Sequence, residues 1–181
     1  VNAAVSSTTI MTALTTTVNS LTIANAGGVL MAAANLNTTI VPNGTTYNAA
    51  GALQRLTITS GGVLVLPVVN GTPSFLSGGE VTTGTTNQLI FHAIGDLVVN
   101  SFLTSGTNAQ GWIKSSEGTM TLNRRSYVNG PATVNGGTLE LNAGTNTLLV
   151  QTVQTTAGPT LLDLRVNAGT VDLMGYSQAV K

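Results

Sequence analysis

The sequence predicts an all-β fold made of stacked repeats, and three observations carry that prediction. The first is composition: 181 residues include 31 Thr, 17 Asn and 21 Gly, and only 7% are charged. β-Branched Thr and Val suit a pleated surface, Gly and Asn suit the turns between strands, and the strong helix formers Glu, Lys and Arg are scarce. The second is the strand period, in which apolar and polar residues alternate as in Gly137-Thr138-Leu139-Glu140-Leu141. The third is repetition. V-N-x-G-T, then an apolar residue, an acid and a Leu, is written at 134–141 and again at 166–173.

The same unit, an alternating stretch, one or two glycines and a second alternating stretch, recurs along the chain. It reads LTIANAGGVLMAAAN at 21–35, LTITSGGVLVLPVVN at 56–70 and WIKSSEGTMTLN at 112–123. Gly28, Gly62, Gly118, Gly137 and Gly169 are the expected turn residues. Their uneven spacing fits turns of variable length on a regular spine, where a propeller would keep a steadier period. One such rung cannot bury its inner face alone, but parallel rungs stacked about 4.8 Å apart close a continuous core. Rungs of roughly twenty residues would give about eight or nine layers, a rod on the order of 40 Å long. The expected architecture is a parallel β-helix (β-solenoid) spanning 1–181 as a single segment, one unit of a longer or assembled chain.

Alternation assigns a direction to each side chain. Met120, Leu122, Leu139, Leu141, Val171 and Leu173 are expected inward, with Thr119, Thr121, Thr138, Glu140, Thr170 and Asp172 outward. In the N-terminal half the same rule places Leu30, Ala32, Leu64 and Leu66 inward, and Val29, Met31, Val63 and Val65 outward. Between Val1 and Gly79 the one charged side chain is Arg55. Apolar outward positions with so few charges call either for covering loops, at 41–50 and 70–78, or for packing against identical subunits. Val29, Met31, Val63 and Val65 are therefore candidate self-association residues. Trp112, the single Trp, joins them as an inter-subunit anchor, with a core position as the alternative.

Residues 114–141, KSSEGTMTLNRRSYVNGPATVNGGTLEL, resemble the autotransporter-associated β-strand repeat, also called the passenger-associated transport repeat. Lys114, Gly118, Thr119, Leu122, Tyr127, Gly130, Thr133, Val134, Asn135, Gly137, Thr138 and Leu139 fall on its pattern. Met120 and the pair Arg124-Arg125 depart from it. The resemblance implies a right-handed parallel β-helix in a secreted or surface protein of a Gram-negative-type bacterium, acting as a stalk, adhesin or filament-building unit. It carries no catalytic residues with it. The closing GYSQAVK reads as the start of another rung, an unpaired edge on which a further strand can form.

Composition also excludes function classes. Net charge is zero, against the clustered cations that nucleic acid or an anionic membrane surface requires. No apolar run is long enough for a transmembrane helix, and cysteine is absent. His92 is the only histidine and is read as structural, so neither a metal site nor a Ser-His-Asp arrangement is expected. Asp163 and Asp172 stand near repeat boundaries, and Glu80, Asp96, Glu117 and Glu140 are scattered, so no glycosidase-like pair of acids is expected. Arg124-Arg125 beside Tyr127 is read as a solvated turn, or else as a small basic patch for an acidic glycan or a neighbouring subunit. Asn129, Asn135 and Asn167, before turn glycines, are expected to form ladders or left-handed turns. Sequons at Asn37, Asn43 and Asn70 matter only in a eukaryotic secretory pathway. The functional expectation is a structural protein with no catalytic, cofactor or metal site, whose partner is itself. The alternative is an adhesive surface that binds glycans or other cells.

Overall fold

The computed structural model describes residues 1–31, 54–68, 71–84, 88–105, 111–150 and 161–181. Ala32, Asn37, Asn43, Tyr47, Asn70 and the stretch 41–50 lie outside the described residues. The described residues contain no helix, and their strands form one 16-stranded, all-parallel array.

The strands follow one another as turns of a coil. The first rung lays down β1 (Ala3–Val5), β2 (Thr8–Ile10) and β3 (Thr15–Val18). The second lays down β4 (Leu21–Ile23), β5 (Gly28–Leu30) and β6 (Arg55–Ile58). Next come β7 (Gly62–Val65) with β8 (Ser74–Thr83), then β9 (Leu89–Ala93) with β10 (Leu97–Thr104). β11 (Trp112–Ser115), β12 (Thr119–Leu122) and β13 (Ser126–Val128) form the fifth rung. β14 (Ala132–Leu141) and β15 (Leu148–Val150) form the sixth, and β16 (Leu164–Asp172) the last. β8, β10, β14 and β16 each pass through a register shift or a change of partner, and so serve two faces of the coil. The result is a parallel β-helix with three faces. Seven residues, Ala3, Leu21, Val63, Phe91, Lys114, Val134 and Val166, occupy one column of the first face, one per rung. Seven layers span about 30 Å at the parallel-strand spacing. The expectation of more layers fails because the chain between successive rungs is often far longer than twenty residues, as between Leu21 and Val63.

Inward columns are filled as alternation demands. On the second face Leu76, Val99, Leu122 and Leu141 stack in register, beside Leu97, Met120 and Leu139. All seven are buried. On the third face Leu56, Val81 and Leu103 stack, while the outward row Thr17, Thr57, Thr82, Thr104 is a run of β-branched residues. Arg55, the isolated charge of the N-terminal half, lies one rung from Glu80 and pairs with it at 3.1 Å.

In the N-terminal half the structure reverses the expected phase. Val29, Met31, Val63 and Val65 are buried in the core, while Leu30 is exposed and Leu64 and Leu66 face outward, half-buried. Two physical causes combine. Both phases of G-V-L-M and G-V-L-V are apolar, so alternation carries no polar marker to fix the inward side. The anchoring glycines also occupy different places in the coil. Gly118, Gly137 and Gly169 lie between the first and second faces, whereas Gly62 opens β7 on the first face and Gly28 lies beside Phe75, within the second. Residues 74–78, expected in a covering loop, belong to β8.

At the corner between the first two faces, Gly95, Gly118, Gly137 and Gly169 stand directly over one another. A Cβ on any of the last three would run into the carbonyl oxygen of the glycine one rung below. Gly137 and Gly169 also adopt φ of +64° and +93°, conformations open to glycine. Gly62 is not constrained in this way; its neighbour Gly61 holds the positive φ of +77°.

Candidate functional site

Two places stand out on this coil: its terminal rung, and the outer corner between its second and third faces. In β16 most side chains are exposed, including those in the inward phase. Val166 sits over Val134 yet is 48% exposed, and Leu173, one step beyond Asp172, is 41% exposed. Val171 is half-buried against the core. Thus Val171 keeps the expected inward direction, whereas Leu173 lies beyond the paired residues of β16 and is exposed; among the described residues no strand stacks on β16. At the other end of the stack Ile10 and Leu14 are exposed. GYSQAVK does not continue as a ladder strand beyond a single bridge between Leu162 and Val180. It folds against the turn at 144–147, where Gln178 Oε1 accepts from the Thr147 amide at 2.7 Å and Asn146 Oδ1 accepts from the Ala179 amide at 2.9 Å.

At the outer corner, register assembles residues far apart in sequence. Asn142 Nδ2 donates to Asn123 Oδ1 at 2.8 Å, and Asn123 Nδ2 donates to Asn100 Oδ1 at 2.9 Å. A second, shorter ladder joins Asn167 to Asn135 at 2.8 Å, while Asn129 uses its amide N–H on Ser105 Oγ. The left-handed Asn residues are Asn25 and Asn146 instead. Directly after Asn123, the Arg124 guanidinium lies 5.4 Å from the Phe102 ring centroid, and Phe102 meets Tyr127 at 6.1 Å between centroids. Arg125 is exposed and reaches the Thr145 carbonyl at 3.4 Å. Among the described residues neither arginine pairs with a carboxylate.

The remaining candidates are dispersed. Trp112 is fully buried, with Nε1 donating to Ser126 Oγ at 2.9 Å, so it is a core residue and not a surface anchor. His92 is exposed on the first face, with Nδ1 2.8 Å from Ser115 Oγ. Asp163 is bound to Arg165, and Asp172 caps the Met174 amide at 2.8 Å. Glu140 accepts from Thr121 Oγ1 at 2.7 Å and neighbours Asp172 in register. Among the described residues no three His, Cys, Asp or Glu side chains converge as a metal site.

Sequence reasoning matched Lys114 to the repeat pattern but gave it no inward position, whereas it occupies an inward column and is fully buried. Its Nζ donates to the carbonyls of Ser116 at 2.8 Å and Gly136 at 2.7 Å, closing the turn beneath Gly137. Burial pushes the amine below its ordinary value, while Asp96 and Glu117 pull it back upward. The signal lay in W-I-K: if Trp112 is core, Lys114 two residues on shares its face. No protein-family model, curated protein or solved structure matches this chain.

Proposed function

We propose that this chain is a structural extracellular protein, a rigid β-solenoid stalk or fibre-forming subunit at the surface of a Gram-negative-type bacterium. It extends by stacking rung upon rung. The observation that supports this reading is β16, whose backbone edge and half-exposed Val166 and Leu173 are shaped to receive a further rung, from a continuation of the chain or from another copy. Full burial of a Val or Leu side chain contributes about 1.5–3 kcal/mol, so a rung laid over β16 gains from both. Lateral contact, if used, must involve outward residues such as Leu30, Leu64, Leu66, Ile90 and Ile113, since Val29, Met31, Val63, Val65 and Trp112 are core. The cell-surface assignment rests on the resemblance of residues 114–141. The reading assigns the chain no reaction and no cofactor.

Electron microscopy of the purified chain over a range of concentrations tests it. Rods of uniform width whose length grows with concentration are expected. Isolated rods of about 30 Å at every concentration would remove the fibre and leave the stalk. Assembly through apolar burial should persist or strengthen in sulfate or phosphate salts.

A second reading, an adhesive surface, is favoured by the Phe102–Tyr127–Arg124 cluster. Aromatic side chains and two guanidinium groups that meet no carboxylate among the described residues, gathered at one corner, are suited to sugar rings and their charged substituents.

A further inference from the structure

We infer that the outer corner formed by Asn100, Asn123, Asn142, Arg124, Arg125 and Tyr127 binds an acidic polysaccharide, one carrying uronate carboxylates, laid parallel to the axis of the coil. The inference rests on the adhesive reading and gives that surface its ligand class and its residues.

Four features lead to it. The Asn ladder presents a row of amides at the repeat of the rungs, about 4.8 Å, close to the length of one pyranose unit. Asn123 and Asn142 each spend one of their two N–H groups on the ladder and keep a second for a hydroxyl lying along the row, while Asn100 enters the ladder as an acceptor through Oδ1. A linear polysaccharide can thus meet one amide per sugar, which a ligand of different repeat could not sustain. The arginines supply the charge preference. Arg125 is exposed, Arg124 is half-exposed, and neither faces a protein carboxylate among the described residues. Planar guanidinium groups match carboxylates in a fork geometry. Arg124 is held over Phe102 and so is positioned before any ligand arrives. Tyr127, half-buried against Phe102, offers a ring edge and a hydroxyl at the same corner. Finally, the carboxylates of Glu140 and Asp172 lie on the opposite side of the ladder from the arginines. An anionic chain is therefore drawn toward one side of the row and repelled from the other, which fixes its lateral placement.

The chain's zero net charge separates this from nucleic-acid binding, since two arginines can neutralise carboxylates spaced along a glycan but not a continuous run of phosphates. The test is titration calorimetry of the full chain with a hexamer of 1,4-linked galacturonate, with a glucose hexamer as the neutral counterpart. The expected result is binding of the uronate hexamer that is weakened roughly tenfold by Arg125→Gln and more by Arg124→Gln with Arg125→Gln, with attenuation in salt. Arg125→Gln alters an exposed side chain, so its circular dichroism and thermal midpoint should match the parent, and it remains informative if the double variant folds poorly. Equal affinity for the glucose hexamer, or uronate binding unmoved by Arg125→Gln, overturns the inference while leaving a glycan-binding surface in place. Binding of neither hexamer overturns the inference; if surface glycans and whole cells also go unbound, the adhesive reading falls with it.

Discussion

In the column that runs Val63, Phe91, Lys114, Val134, a primary amine stands where its neighbours are hydrocarbon. Desolvating an ammonium is costly, and the turn offsets it with two carbonyl acceptors, those of Ser116 and Gly136. Lys114→Met keeps an unbranched side chain of similar size and removes the two hydrogen bonds to the Ser116 and Gly136 carbonyls, so stability should fall by roughly 2 kcal/mol in chemical denaturation. The protonation argument has a definite sign. The folded amine binds its proton less readily than the unfolded one, because burial outweighs Asp96 and Glu117. Between the lowered folded value and 10.5 the unfolded chain holds more protons, so this residue makes stability rise with pH through that window and level off above it. Lys114→Met should remove that rise; a variant retaining it in full would show that another group is responsible.

Among the strands, β7 and β12 show what a sequence can and cannot fix. In β12 Thr119 and Thr121 mark the outward side, so Met120 and Leu122 are legible as core from alternation alone. In β7 the residues Val63, Leu64 and Val65 are all apolar, and only the pairing with β4 and β9 decides that Val63 and Val65 face inward. The fold class depended on composition and repeats and was readable; the phase of the N-terminal strands depended on which corner each glycine occupies and was not. The outer corner was half-readable in the same sense. Arg124, Arg125 and Tyr127 are close in sequence, but Phe102 and the Asn ladder join them only through the rung register. The reversed phase gives a direct check. Val65→Lys places an unpaired charge in the core and should cost more than about 4 kcal/mol, whereas Leu64→Lys, one residue away and outward, should stay within about 1 kcal/mol. Thermal unfolding of the two variants side by side distinguishes them, and equal losses would mean that β7 is not held in the described register.

For the molecule as a whole, the decisive property is that every rung contributes the same rise regardless of how many residues lie between strands. Leu21 and Val63 are one rung apart, and so are Lys114 and Val134, although far more residues separate the first pair than the second. Assembly is expected to follow the same rule. Val166→Lys, at a position 48% exposed in β16, should leave the monomer's thermal midpoint within about 1 kcal/mol of the parent in stability while shortening or abolishing rods seen by microscopy. Rods of unchanged length would show that growth does not pass through this rung. The ladder also governs how the coil bears force. Its hydrogen bonds run along the axis, so a pull applied evenly across the ends loads all the bonds between two neighbouring rungs together. A pull on the chain from one terminus instead meets them a few at a time and peels the coil turn by turn. The same molecule is therefore strong as a strut or tether gripped across its whole cross-section, and weak when it is unwound by its thread.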